Sequence, residues 1–445
     1  MKKLLIILTA FLNVIMLSGC FKIATPEELL QVPELSSEKK SMIEAVENFR
    51  PQNTVTYPIF MKGDKSSSAM VIRDLDGDGS GEIISFYKKN SDDKVGVFIL
   101  SKSDALWIKN ADITFNSYEI SKIHIEDLNN NGKKEIIVEA FDAHNFENPK
   151  LLSVIYYKDR VIKAVKEISY TAMQIYDINQ DKQDELYLIK NQGKSDGYDL
   201  RIFQFENYDI KQTNAVSLRD ISNPYDITIG NISENKKAMF IDYSADGGQE
   251  NTQVYLYDNK HFKSLNEIET FREKHYVFNL PTADVNLDGI IEVGYKFKSP
   301  NYKVSVTSSD QDEVNGYFHI KDDYSLELIS EQYESPLGFK FSIPKSFRGK
   351  YKINYKWDEG YISFKYIDSK GIEYPLVKLS YMRKYDYIKK KEKDETMQLL
   401  IEGQEYVIVG NVLDNGSVLT GQDHVNYINM RSDVLILSNL VKENL

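Results

Sequence analysis

Short apolar runs recur along the first three quarters of the chain, and they alternate as extended backbone does rather than repeating at helical spacing. They come in pairs: AMVIR (69–73) and IISFY (83–87), KIHIE (122–126) and IIVEAF (136–141), MQIY (173–176) and LYLIK (186–190). DITIG (226–230) and VGYKF (293–297) belong to the same series. A polar turn rich in Gly, Asn and Asp separates the members of each pair. Two more runs complete each unit, for instance VGVFIL (95–100) and ALWI (105–108). The pattern predicts four short strands per unit. The 30 Tyr and 21 Phe, beside abundant Ile and Val, agree with strand rather than helix.

The turns themselves repeat. They read DLDGDGSGE (74–82), DLNNNGKKE (127–135), DINQDKQDE (177–185) and DVNLDGIIE (284–292). A fifth copy, NISENKKAM (231–239), keeps the place and has lost the acids. Successive copies in chain order begin 53, 50, 54 and 53 residues apart. A fixed period of that size marks one supersecondary unit per repeat, stacked so that neighbours bury each other's apolar faces. The expected fold is mainly β: a β-propeller of about five four-stranded blades, with six or seven as alternatives, followed by a small α+β domain. The units fall at about 63–113, 114–168, 169–219, 220–272 and 273–332. The segment before Gly63 could complete the last blade and close the ring. The domains are expected at 1–19 (leader), 20–50 (tether and short helix), 51–332 (propeller) and 333–445 (small α+β domain).

Each turn has the donors of a hard-cation loop. Calcium takes six to eight oxygens from carboxylates, amides and backbone carbonyls. Positions one, three and five of a tight loop point inward, the sixth turns the chain, the seventh offers its carbonyl, and the ninth returns a carboxylate. The candidate ligands are therefore Asp74, Asp76, Asp78, Ser80 and Glu82; Asp127, Asn129, Asn131, Lys133 and Glu135; Asp177, Asn179, Asp181, Gln183 and Glu185; and Asp284, Asn286, Asp288, Ile290 and Glu292. The unrelated types Ser80, Lys133, Gln183 and Ile290 fit a position that supplies only its backbone. The Asp74, Asp177 and Asp284 loops are acid-rich and the Asp127 loop is weaker. Lys182 stands where the others have the turn glycine, which is costly if that residue must be left-handed. An acidic turn without metal explains one copy but not a ninth-position Glu in four of five. The loops resemble those of FG-GAP, VCBS and integrin-type propellers, and that resemblance implies calcium. They also share a start with EF-hand loops. Strands flank them here, and the closing Glu comes too early for an EF-hand.

The N-terminus carries a second signal. Lys2 and Lys3 precede a 14-residue largely apolar stretch, Leu4 to Leu17, which is short for a bilayer span and right for a signal-peptide core. Leu17-Ser18-Gly19-Cys20 follows, and Cys20 is the only cysteine, so no intrachain disulfide is possible. The segment resembles the lipobox of bacterial lipoproteins, which implies cleavage before Cys20, a diacylglycerol on its thiol and a place on the outer face of the cell membrane. Residues 17 to 90 together resemble a family of uncharacterised Gram-positive lipoproteins with FG-GAP-like repeats. Between tether and repeats, Ser36 or Ser37 can cap a helix whose Met42, Ile43, Val46 and Phe49 share a face, ended by Pro51.

After residue 335 the period stops. FKFSIP (339–344), YKINYKW (351–357), GYISFKYI (360–367), PLVKLSY (375–381) and EYVIVGNV (405–412) read as strands, with helices expected near 384–398 and from Gly421. This region weakly resembles C-terminal domains of other Gram-positive surface proteins.

Composition narrows function. The formal charge of −12 becomes −14 without Lys2 and Lys3, a surface that repels nucleic acid and suits cations or basic partners. No G-x-S-x-G, H-E-x-x-H, P-loop or C-x-x-C is present, and the histidines are scattered. His124, alternating with Ile123 and Ile125, reads as structural. The expected function is a lipid-anchored envelope protein whose calcium-braced propeller is a scaffold for a protein or glycan ligand. The alternative is a surface hydrolase of cell-wall or host glycans, a reading by fold analogy alone. A ligand would dock on the face opposite the calcium loops, where the second-to-third-strand turns are long and carry His144, Phe146, Tyr198 and Tyr302.

Overall fold

The computed structural model describes residues 36–59, 61, 67–104, 106–142, 144–158, 161–164, 167–193, 197–245, 247–258, 261–273, 276–299, 303–304, 313–356 and 358–443. The leader, Cys20 and Tyr302 lie outside the described residues. The protein is mainly β. Five antiparallel sheets follow one another in chain order, one per repeat, and a sixth follows them.

The third sheet shows the plain unit: Ala172–Tyr176, Glu185–Asn191, Tyr198–Glu206 and Asp209–Leu218, each hydrogen-bonded to the next. The first sheet has Met70–Arg73, Glu82–Lys89, Val95–Ser103 and Leu106–Thr114, and gains Thr54–Thr56. That extra strand corrects the expectation of ring closure: Thr54–Thr56 pairs with residues 87–89 of the first sheet. Met70–Arg73 covers only the start of that second strand, so its far half was left with an open partner edge.

Strand alternation makes the stack. In each second strand, odd and even side chains face opposite neighbours. Ile136 and Val138 pack with Ile84, Phe86 and Val97 of the first sheet, while Ile137 packs with Leu186, Leu188 and Phe203 of the third. Tyr187 and Ile189 then meet Ile227, Ile229, Met239 and Ile241 of the fourth. The second position of the first four turns plugs the same interfaces: Leu75, Leu128, Ile178 and Ile232 are all buried, one in each successive cluster.

Among the described residues no repeat precedes the first sheet. Its outer face, Ile83, Tyr87, Phe98 and Leu100, is covered by Ala45, Val46, Met42 and Phe49 of the helix Ser37–Phe49. Ser36 caps that helix, accepting the Lys39 N–H at 3.2 Å. At the other end, Leu326–Ser335 of the fifth sheet pairs with Phe339–Ser342, which pairs with Val441–Glu443 from the C-terminus. The sixth sheet (Tyr351–Lys356, Tyr361–Ile367, Glu373–Arg383, Tyr406–Val412 and Gln398–Glu402, in spatial order) and the helix Gly421–Asp433 share one apolar cluster with the fifth.

Candidate metal centre

Each acidic turn joins the first strand of its sheet to the second. The residue before the turn pairs with the ninth-position Glu: Arg73 with Glu82, Glu126 with Glu135, Tyr176 with Glu185 and Ala283 with Glu292. The first Asp folds the loop by accepting backbone N–H groups. Asp74 takes those of Gly77 and Gly79 at 2.7 and 2.9 Å. Asp127 takes Asn131 and Gly132 at 3.0 and 2.8 Å. Asp177 takes Asp181 and Lys182 at 3.2 and 2.8 Å, and Asp284 takes Asp288 and Gly289 at 3.1 and 2.9 Å. The fifth residue in turn accepts the seventh N–H: Ser80 to Asp78, Lys133 to Asn131, Gln183 to Asp181 and Ile290 to Asp288.

These bonds require two left-handed residues per loop. The sixth position has φ of +89° at Gly79, +83° at Gly132, +70° at Lys182 and +85° at Gly289. Lys182 thus bears the strain expected of it, with its N–H bonded to Asp177 as compensation. The fourth position is left-handed as well, at Gly77, Asn130, Gln180 and Leu287. Gly77 also comes so close to Gly132 of the next loop that an added Cβ would lie 2.8 Å from its carbonyl oxygen.

The loops are stitched together. Lys134 donates its N–H to the Leu75 carbonyl at 2.8 Å, Asp184 donates to Leu128 at 2.9 Å, and Ile291 donates to Asn231 at 2.8 Å. The acid-poor copy lacks the loop altogether. There Pro224–Ser233 runs into Lys236–Ser244 through a tight hairpin, with Ser233 paired to Lys236. Gly230 pairs with Ala238, so Ala238 stands where the others have Glu, and the turn is one residue shorter than the aligned copies.

The carboxylates of Asp74, Asp76 and Asp78 each bring an oxygen within 4.8 Å of the other two. This all-oxygen set fits a hard cation such as calcium. In the Asp127 loop, Asn129 Oδ1 is buried and receives no hydrogen bond among the described residues. A buried acceptor without a donor is costly, and a cation would satisfy it. The ninth-position glutamates are buried behind the loops. Glu82, Glu135 and Glu292 each accept the N–H of the second position, from Leu75, Leu128 and Val285 at 2.8, 3.0 and 2.9 Å. Glu185 instead binds Asn179, Gln204 and Tyr187. Burial pushes the Glu82 carboxyl up to about 7, and repulsion from Asp76, Asp78 and Asp74 adds to it. Glu135 is raised to about 7 by burial and by Asp127.

At the other end of the strands, His144 and Phe146 are exposed in the turn that follows Glu135–Phe141. Phe146 is 91% exposed, and the His144 ring lies edge-on to exposed Tyr118 at 6.1 Å. Tyr198 is half-buried at the start of its strand, near Asn191. Sequence reasoning missed two features here: Tyr118, brought beside His144 by the start of the first strand, and His319, which faces Glu292 across the sheet. His124 is buried, its Nε2 at 2.7 Å from Glu139, whose other oxygen accepts the Tyr170 hydroxyl.

No known family model matches the chain, and no curated protein matches it. Among solved structures, a protein from Lactobacillus plantarum is 9% identical, covering 69% of this chain and 83% of that one, with a TM-score of 0.32. An exo-beta-1,3-galactanase from Phanerochaete chrysosporium is 10% identical over 82% of this chain and 91% of that one, with a TM-score of 0.30. A Bacillus licheniformis rhamnogalacturonan lyase is 11% identical over 73% of this chain and 74% of that one, with a TM-score of 0.27. These are likenesses of overall shape and bear on neither activity nor ligand.

Proposed function

We propose that the protein is a lipid-anchored cell-envelope scaffold, braced by calcium at its acidic turns and presenting the opposite edge of its sheets to a protein or glycan ligand. The observation that carries this reading is the division between the two edges. One edge is a row of short loops, tied to backbone N–H groups and to one another. The other bears Phe146, Tyr118 and His144, aromatic groups left open to solvent. An exposed large apolar side chain beside hydrogen-bonding neighbours suits a sugar face or a partner protein. Capture of a partner from intact envelopes, with calcium and with chelator, tests the reading. Crosslinks should cluster around 142–150 and need calcium; crosslinks confined to the acidic turns or to residues after 335 would reject it.

The anchor has its own test. The charged start, apolar stretch and L-S-G-C of the leader are what support a lipid on Cys20. One acyl chain gives only marginal membrane binding, so the diacylglycerol thioether is what would hold the protein. Cys20→Ala is expected to release the protein from membranes or leave the leader uncut. Unchanged fractionation with an unchanged N-terminus would end the idea.

A further inference from the structure

We propose that the Asp284 loop, completed by His319, binds a divalent transition metal of the zinc class, unlike the oxygen-only Asp74 loop. The assignment rests on the cation-loop reading above for Asp288 and Glu292, and adds an imidazole that no other acidic turn has among the described residues. Strand register supplies it. Val293 pairs with Phe318, which puts Glu292 opposite His319. The same place on the third strand is Gln204 opposite Glu185. Pairing of Ile83 with Leu100 and of Ile136 with Ile155 puts Ser101 and Tyr156 there in the first two sheets.

The three donor atoms already converge. His319 Nε2 lies 2.9 Å from Glu292 Oε1 and 3.4 Å from Asp288 Oδ2, and a donor atom from each of the three residues lies within 4.8 Å of the other two. Tetrahedral zinc with bonds of about 2.0–2.2 Å places its ligand atoms roughly 3.3 Å apart, and the observed spacings bracket that value. Each carboxylate is aimed by its second oxygen. Glu292 Oε2 accepts the Val285 N–H at 2.9 Å, and Asp288 Oδ1 accepts the Ile290 N–H at 2.9 Å. Asn286 Nδ2 donates to Asp288 Oδ2 at 2.8 Å, so one more group orients the ligand. Such outer partners are what hold metal-binding carboxylates in place. The fourth coordination position is reachable, because His319 and Ile290 form part of the wall of a cavity of about 450 Å³, together with Ser233 and Asp322.

Donor chemistry separates this loop from its siblings. An imidazole with two carboxylates suits zinc and its neighbours in the first transition row, whereas calcium prefers six to eight oxygens. Binding needs the Nε2 lone pair of His319, so the imidazole would coordinate as the tautomer that carries its proton on Nδ1.

The test uses the full chain without an affinity tag, stripped by chelator. Zinc is titrated by calorimetry, and cobalt(II) is added as a spectroscopic probe. One tight zinc equivalent is expected, surviving excess calcium and surviving Asp76→Ala. His319→Gln keeps an amide donor for Glu292 and should weaken zinc by more than about 100-fold, since losing a ligand costs more than the roughly 10–100-fold of losing an outer partner. Wild-type cobalt(II) protein should show the visible bands of a four-coordinate nitrogen–oxygen site, and H319Q should not. Equal zinc affinity in the wild type and H319Q would overturn the proposal and leave an ion pair only. If H319Q fails to fold, absence of four-coordinate cobalt bands in the wild type overturns it, and their presence there with loss in Asp288→Asn upholds it. Calcium titration of the same proteins separates the two readings. A His319-dependent zinc response with no calcium response would sink the calcium reading and leave this one standing.

Discussion

Leu128→Ala is expected to lower the free energy of unfolding by about 2–5 kcal/mol, the usual cost of emptying a fully buried leucine site. Leu128 is 1% exposed and fills the interface between the second and third sheets. It is also tied at both ends of its peptide unit, with its N–H to Glu135 and its carbonyl to Asp184. The surroundings therefore have little freedom to collapse into the void. Val285, the same position in the last loop, is 38% exposed. Val285→Ala should cost about 1 kcal/mol or less, as half-exposed positions do. Chemical denaturation of the two variants, compared by midpoint, checks this. Equal losses would show that the second position is not the plug of the stack.

Calcium removal should matter most at neutral and alkaline pH. In the metal-free protein, burial, and secondarily the neighbouring aspartates, lift Glu82 and Glu135 from 4.5 to about 7. Acids whose folded pKa is raised stabilise the fold fully below their unfolded value. That stability is lost as pH rises through the folded value, here from about 4.5 to about 7. Calcium bound to Asp74, Asp76 and Asp78 would remove the repulsion these residues exert on Glu82 and let it ionise at less cost. A cation bound only by the folded state adds about 2.7 kcal/mol at a hundredfold excess over its dissociation constant. The gap in melting temperature between calcium-loaded and chelated protein should therefore widen from pH 5 to pH 8. Asp76→Ala should narrow it more than Asn129→Ala. A chelator without effect at any pH would mean that the turns hold no metal.

The sequence carried the repeat units because one physical rule governs them. Alternation places Ile136 and Ile137 on opposite neighbours, and the nine-residue turns mark where each sheet reverses. The cap helix was legible from Ser36 and the spacing of Met42, Val46 and Phe49, while Ile43, expected on the same face, stands exposed at its edge. What it covers was not, because only the stack reveals that the first sheet lacks a preceding repeat. The partner of Thr54–Thr56 was misplaced for a related reason: a three-residue strand has too little pattern to choose its edge. Position four of the loops was invisible because Gly77, Asn130, Gln180 and Leu287 share no chemistry, only a backbone angle. The acid-poor copy lines up with the others at Met239 in sequence, yet pairing of Gly230 with Ala238 shows a one-residue deletion that sequence spacing could not separate from substitution. His319 stands 27 residues from Glu292 and meets it only through the register of the third strand. The exposed cluster of Tyr118, His144 and Phe146 likewise depends on which strand ends meet at one edge.

The two ends of the described chain enter the stack in different ways. The N-terminal helix lies on the first sheet through side chains alone, by Ala45, Val46, Met42 and Phe49. The C-terminal strand Val441–Glu443 is hydrogen-bonded into the edge of the fifth. A pulling force applied before Ser36 would thus load a greasy contact that slides and peels, whereas one applied at the far end would shear backbone hydrogen bonds in parallel. Past the helix the load would reach Thr54–Thr56, whose pairing with residues 87–89 is the first backbone ladder in its path. The helix is thus the one element on that path held to the sheet by side chains rather than by a backbone ladder.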